Sequence, residues 1–184
     1  MALLMPPFRS LFIGAILFMA AKCALSATSF TGKVIHVGDG DTLIVLRPDR
    51  TKIVVRLSDI DAPEVGHGQS RPAQPFSRQS KQSLQQLAGG QDAVLSCYEK
   101  DRYARMVCQV DVNGVNVNAE QVRRGMAWAN RSNPRYVRNR DVFGLEEVAQ
   151  RSAIGLWSSA QQHIPPWEWR RACWEAGSCV GDDN

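Results

Sequence analysis

A mainly β fold of the α+β class, built on a small barrel of five strands with about three helices, follows from three observations. The first is a series of strand-like segments between Ser29 and Leu57, separated only by short turns. The second is another pair of strand-like segments, residues 93–99 and 104–110, placed after a helix-like stretch. The third is a chain of 184 residues with 44% hydrophobic and 22% charged residues, ordinary for one globular domain with a packed core. Five strands, with helices inserted after the third and following the fifth, fit a partly open Greek-key barrel of the OB-fold type.

Each element has a local reason. Residues 30–37 alternate β-branched and polar side chains, and Gly38-Asp39-Gly40 is a turn signal. Residues 42–46 and 52–57 repeat the strand pattern around the turn Arg47-Pro48-Asp49-Arg50, completing a three-strand meander. Residues 65–76, rich in Gly, Pro, Gln and Ser, read as a loop. Ser77 is placed to cap a helix that runs to Ala88, where Gly89-Gly90 stops it. The second strand pair follows, and Asn113-Gly114 makes the next turn. Residues 117–126 and 137–152 read as helices, the latter terminated by Gly155. From Ser158 onward the chain is rich in Pro and Trp, and irregular structure is expected.

The first residues read as a secretory leader. Arg9 precedes an apolar run over residues 11–21, and Lys22-Cys23-Ala24-Leu25-Ser26-Ala27 ends in small residues. The run is short of the roughly 18–20 residues of a membrane span. Cleavage is expected after Ala27 or Ser26, and an uncleaved N-terminal anchor is the rival reading. Lys22 stands where lipoprotein processing at Cys23 would need a small residue. The chain therefore divides into a signal peptide (1–27), a barrel domain (28–157) and a C-terminal tail (158–184). An exported protein, periplasmic or secreted and without stable membrane association, is implied. Removing Arg9 and Lys22, and no acidic residue, lowers the formal charge from +4 to +2. So mild a charge does not by itself mark a nucleic-acid binder.

Four cysteines remain after the leader, Cys97, Cys108, Cys173 and Cys179, an even number that suits disulfides in an oxidising compartment. Three pairings are possible. A hairpin-like stretch between the first two, and the nearness of the last two, favour Cys97–Cys108 and Cys173–Cys179. Zinc fits poorly, because no C-x-x-C or paired histidines accompany them.

The chemistry lies in three short segments. Asp39-Gly40-Asp41-Thr42 and Arg56 through Asp61-Ala62-Pro63-Glu64 each follow or end a strand-like run, and each supplies carboxylates to a loop. Asp41 and Asp61 are hard oxygen donors suited to calcium, and the Ala62 carbonyl can add a third. Few protein ligands imply weak binding completed by water. Glu64 is placed to act as general base. Arg56 and Arg105, the latter from Asp101-Arg102-Tyr103-Ala104-Arg105, offer planar forks matched to phosphate oxygens. Alone, Asp-Gly-Asp is a hairpin turn and either arginine a surface side chain. Taken together the segments suit metal-assisted phosphodiester cleavage. Tyr103 can stack on a base or donate to phosphate. The stretch 121–140 carries Arg123, Arg124, Arg131, Arg135, Arg138 and Arg140 without an acidic residue, interleaved with Trp128 and Tyr136. Arginines and aromatics together suit a nucleic-acid strand, a solvated helical face is the other reading, and for Arg138 and Arg140 the two stand equal. His36, His67 and His163 are scattered and carry no role.

These segments resemble the staphylococcal-nuclease-like thermonuclease family over roughly residues 30–157. The resemblance rests on Val37-Gly38-Asp39-Gly40-Asp41-Thr42, on the run from Arg56-Leu57 to Glu64, and on Asp101 to Arg105. Asn118-Ala119-Glu120-Gln121-Val122-Arg123-Arg124-Gly125-Met126-Ala127-Trp128 and Gly155-Leu156-Trp157 extend it. It implies an OB-fold barrel and a calcium-dependent phosphodiesterase, using one ion, that acts on DNA and RNA as a monomer. In that family water attacks phosphorus in line and the 5′ oxygen leaves, giving 3′-phosphorylated products. Carried over, Asp41 and Asp61 are the metal ligands with the Ala62 carbonyl, and Asp39 supports them without touching the ion. Glu64 is the base, and Arg56 and Arg105 are the phosphate clamps. Tyr103 and Arg102 are substrate contacts, and Trp128, from the arginine-rich stretch and not from the resemblance, is a further candidate contact. The family often has tyrosines shortly after the glycine matching Gly125, where this chain has Trp128-Ala129-Asn130-Arg131, so base preference is open. The disulfide candidates and the Pro-Pro-Trp-Glu-Trp tail lie outside the founding pattern. The alternative is a non-catalytic OB-fold module that binds nucleic acid without cutting it.

Overall fold

Ten residues of alternating pattern start the fold, which the computed structural model describes over residues 27–160 and 163–179. The proposed leader thus lies outside the described residues, apart from Ala27. Strand β1 (Thr28–Val37) turns through Gly38–Asp41 into β2 (Thr42–Leu46), which pairs with β3 (Lys52–Leu57) to complete the expected meander. A two-residue strand, β4 (Ile60–Asp61), follows. Helix α1 (Ser77–Ala88) leads into β5 (Asp92–Lys100) and β6 (Met106–Val112), an antiparallel hairpin. The short β7 (Val115–Asn116) runs directly into α2 (Val117–Arg123). A short β8 (Trp128–Ala129) pairs with β4, and α3 (Asp141–Arg151) follows. The tail holds α4 (Pro166–Trp169), which continues as a wider helical turn over Arg170–Glu175.

The sheet order β3-β2-β1-β5-β6 closes through a parallel pairing of β3 with β6, giving a five-stranded mixed barrel. Strand alternation accounts for its interior. Leu43 and Val45 of β2, Val55 and Leu57 of β3, Leu95 of β5 and Val110 of β6 point inward and are fully or almost fully buried. Leu84 and Ala88 of α1 and Val117 and Val122 of α2 extend that core. A bulge between Val34 and His36 in β1 resets the alternation, which lets Val34 and Val37 both face inward.

Several expected details are corrected. Ser77 is the first helical residue of α1 and not its cap: the cap position is Phe76, in a left-handed conformation (φ 67°) with no side-chain cap bond. The helix expected over 117–126 stops at Arg123, because the chain turns at Gly125 (φ 63°). A Cβ there would stand 2.2 Å from the Ile154 carbonyl oxygen, so only glycine fits. The helix expected over 137–152 starts at Asp141, where the Asn139 side chain accepts the Asp141 N–H. The tail is helical, not irregular, from Pro166 to Glu175. Proline in its first turn lacks the N–H that a helix start leaves unpaired anyway.

Both cysteine pairs are disulfides as expected. Cys97 and Cys108 face each other across β5 and β6, and Cys173–Cys179 closes a loop in the tail. Among the described residues no helix is long and apolar enough to cross a membrane.

Candidate active site

Strand register decides which polar residues meet. Thr42, the residue after Asp41, lies opposite Arg56 in the β2–β3 ladder. Arg56 in turn lies beside Val107 in the parallel β3–β6 pairing that closes the barrel. That closure sets the hairpin 101–105 against the end of β3, although it is more than forty residues away in sequence. One open cleft of about 410 Å³ results. Asp39, Asp41, Arg56, Asp61, Ala62, Glu64, Arg102, Tyr103 and Arg105 line it, together with Asn130, Tyr136, Arg170 and Trp174.

Arg56 is the hinge of the arrangement. Its guanidinium bridges Asp41 Oδ2 at 2.9 Å and Asp61 Oδ1 at 2.7 Å, with only 11% of the side chain exposed. The Asp41 carboxylate also accepts the Ala62 N–H at 2.7 Å and the Thr42 hydroxyl at 3.3 Å. Asp39 accepts the Asp41 N–H at 2.9 Å, which fixes the turn that presents Asp41. Gln121, wholly buried in α2, donates to the Gly40 carbonyl at 2.8 Å and to the Ser80 carbonyl at 3.2 Å, tying that turn to α1. Burial holds the Asp41 carboxyl well above the usual carboxylate range. Arg56 pulls the other way, while Asp39, Asp61 and Glu64 add to the rise. Glu64 is raised as well, by burial first, with Arg170 opposing.

The second clamp is built by its own turn. Asp101 Oδ1 accepts the N–H groups of Tyr103 and Arg105, both at 2.9 Å, and Asp101 Oδ2 accepts Arg105 Nε at 2.7 Å. These contacts outweigh burial and lower the Asp101 pKa. Arg105 Nη1 reaches the Thr42 hydroxyl at 3.4 Å, at the edge of the carboxylate group. Tyr103 is 64% exposed, with the Arg102 and Arg105 guanidiniums 4.8 and 5.5 Å from its ring, a surface suited to a stacked base.

Other expected contacts lie elsewhere. Trp128 is 5% exposed, packs edge-on against Trp157 at 5.3 Å and does not line the cleft; only its backbone touches the site, by pairing with Asp61. The arginine-rich stretch is largely engaged with acidic residues that flank it or come from other elements. Arg123 and Arg124 hold Glu120, Arg131 holds the buried Glu146, and Arg135 and Arg138 share Glu99. That favours the solvated-surface reading for those residues.

Two further site residues gave no recognisable signal in the sequence. Asp59, 1% exposed and at φ 70°, accepts the backbone N–H groups of Arg138 and Asn139 and the Ser58 hydroxyl. It anchors the connection after β8 beside the cleft. Arg170, from the tail, donates to Asp61 Oδ2 at 2.9 Å and Oδ1 at 3.3 Å and also to Glu64. Burial opposes its charge, but Asp61 and Glu64 outweigh that and raise its pKa.

A divalent cation fits the donor set. Four carboxyl groups, those of Asp39, Asp41, Asp61 and Glu64, line the cleft against the three guanidiniums of Arg56, Arg102 and Arg170. Arg105 is already matched by Asp101. All the donors are hard oxygens, as calcium or magnesium requires, and the open cleft leaves room for water ligands. Among the described residues no three acidic, histidine or cysteine side chains are grouped to hold a metal ion, so water and backbone oxygens must supply most of the coordination.

The comparisons agree with this geometry. The family model described as "Staphylococcal nuclease homologue" matches residues 54–159. An "Uncharacterized endonuclease" of Haemophilus influenzae is 35% identical over 163 residues, covering 89% of this chain and 85% of its own. A "Micrococcal nuclease" of Shigella flexneri is 38% identical over 156 residues, covering 78% and 82%. An "Uncharacterized endonuclease" of Escherichia coli O157:H7 is 34% identical over 160 residues, covering 86% and 96%. A closed barrel with this cleft, a family model spanning β3 to the end of the barrel domain, and relatives matched along most of their length lead to one conclusion: the chain belongs to the staphylococcal-nuclease-like family.

Proposed function

We propose that the protein is a nuclease that hydrolyses phosphodiester bonds of DNA and RNA, with one bound Ca2+ as its resident ion. The observation that carries this reading is the meeting of Asp41, Asp61, Arg56, Glu64 and Arg105 in one cleft at the end of the barrel. Family membership and relatives named as nucleases support it.

Asp41 and Asp61 would hold the ion, with the Ala62 carbonyl, while Asp39 fixes the Asp41 loop. The bound cation supplies electrostatic stabilisation of charge developing on the phosphate. Glu64 takes the proton from a water as that water's oxygen bonds to phosphorus. The bond from phosphorus to the 5′ oxygen breaks, and that oxygen leaves with a proton from solvent, so the product carries a 3′ phosphate. Arg56 and Arg105, which both line the cleft, would stabilise the charge added to a phosphate bound there. Tyr103, with Arg102 beside it, offers its exposed ring to a base. The leader and the disulfides support export to the periplasm or the medium, and a monomer suffices for the site, since one chain supplies all these residues.

The test is incubation of the purified, oxidised protein with plasmid DNA and with RNA, in calcium and in chelator, beside Glu64→Gln. Calcium-dependent degradation is expected, with turnover lower by roughly 10²–10⁴-fold in the variant. Degradation at the normal rate by the variant removes Glu64 as base. Binding without degradation under every divalent cation tried points to a nucleic-acid-binding module instead.

A further inference from the structure

Arg170 lies outside the segment that the family model matches, yet it occupies both oxygens of the residue most central to the cleft. Its placement is well supported by the arm that carries it. Trp169 and Cys173, 4% and 2% exposed, pack inward on either side of it, and Cys173 is bonded to Cys179. The Trp174 indole N–H donates to the Pro72 carbonyl at 3.0 Å, and the Arg71 guanidinium lies 5.6 Å from the Trp174 ring. Gln74 joins arm to site: its amide donates to the Ile164 carbonyl at 2.7 Å and accepts the Glu64 N–H at 3.1 Å. The loop that presents Glu64 and the arm that presents Arg170 therefore form one packed unit.

Both carboxylate oxygens of Asp61 are already engaged. Its Oδ1 accepts from Arg56 and from Arg170, and its Oδ2 accepts from Arg170. A cation that takes Asp61 as a ligand meets a guanidinium at either oxygen and competes with it for the carboxylate charge. Arg56 is held in β3 between two carboxylates and is 11% exposed, whereas the Arg170 side chain is 33% exposed and reaches in from a short arm. Arg170 is the one free to turn aside. We propose that Arg170 is a positioning residue that serves as the resident counter-ion of the site: it holds Asp61 and Glu64 in place without metal and competes with the divalent cation for Asp61. The arm thereby sets the metal affinity. This inference rests on Asp61 being a metal ligand, as in the proposed function.

Calorimetric titration of Ca2+ into the oxidised, metal-stripped protein tests it directly. Arg170→Gln is expected to tighten the calcium Kd by about tenfold, because a full charge within contact distance of the ligand is removed. Arg170→Met, which keeps the aliphatic stem, is expected to do the same. Arg171→Gln removes the same charge from an exposed position next door and is expected to change Kd by less than about twofold, since solvent and salt screen it. In the unmutated protein the Arg170 Nε–H resonance is expected to move as calcium saturates the site. An unchanged or weaker Kd in both Arg170 variants overturns the inference, as does equal tightening by Arg171→Gln or an Arg170 resonance that stays fixed at saturation. In those cases the nuclease reading stands. Absence of calcium binding to all the proteins overturns the metal reading of the cleft and this inference with it.

Discussion

Gly40 is the residue on which the candidate site most depends without taking part in any chemistry. A Cβ added there would stand 1.9 Å from Ser80 Oγ, 2.7 Å from Ala62 Cβ and 2.9 Å from Ser80 Cβ. Its φ is not in the left-handed region, so the requirement is for close approach and not for backbone freedom. In Gly40→Ala the Ser80 hydroxyl can rotate away, giving up its bond to the Met126 carbonyl. Ala62 Cβ cannot, since it is fixed to the backbone that donates to Asp41. The turn must lift, and the Gln121 bond to the Gly40 carbonyl goes with it. Overpacking costs about 1–3 kcal/mol. The Gln121 amide keeps its bond to the Ser80 carbonyl, and its one N–H left unpaired costs about another 1–3 kcal/mol. A loss of about 2–6 kcal/mol lowers the Tm of a domain of this size by about 5–20 °C. Thermal unfolding followed by circular dichroism measures it, and the calcium Kd should weaken in the same variant because Asp41 rides on that turn. Adding Ser80→Ala relieves the shortest contact only, so the double variant should recover about 1 kcal/mol and no more. A Tm shift under about 2 °C in Gly40→Ala would refute the reasoning, because it would mean the turn has room to spare.

Three other perturbations test separate parts of the structure. Arg105→Lys keeps the charge but loses the planar fork held by Asp101, so turnover should fall by about 10²-fold or more while the calcium Kd holds; near-native turnover removes Arg105 from the mechanism. Asp41→Asn should raise the Tm of the chelator-treated protein at neutral pH and abolish calcium binding. The Asp41 pKa is raised in the folded state, so its contribution to stability is present at low pH and lost as pH rises through the folded-state value. The Tm advantage of the variant should therefore shrink on acidification, and a neutral-pH Tm at or below that of the unmutated protein contradicts the account. Replacing Cys97 and Cys108 by serine should cost about 2–3 kcal/mol, and the unreduced protein should show two disulfides by mass; four alkylatable thiols among residues 97–179 would exclude them.

The barrel was legible in the chain because strand periodicity is local. Residues 42–46 and 52–57 are short runs rich in Val, Ile and Leu whatever the rest of the fold does, and the turn at Gly38-Asp39-Gly40 stands between two strand-like runs. The carboxylates and arginines were visible as motifs for the same reason: Asp41, Asp61 and Glu64 sit at the ends of those runs. Helix ends were less legible, because contacts from distant residues set them. Gly125 stops α2 early against the Ile154 carbonyl, and Ser77 stands buried as the first residue of α1 with Phe76 at the cap position expected for it.

What the sequence determined by itself is thus the five strands of the barrel, an even set of cysteines suited to disulfides, and the residue types that suit a hard cation and a phosphate. Which of them meet was decided by tertiary structure. The β3–β6 closure puts Arg105 beside Arg56. The β4–β8 pairing uses the backbone of Trp128 and turns its ring into the core, away from the cleft. The same principle governs Arg170. A guanidinium more than a hundred residues downstream reaches Asp61 because Trp169, Cys173 and Trp174 dock the arm that carries it. Burial of that arm depends on surfaces assembled only after the barrel has closed, and no local pattern in the chain encodes it.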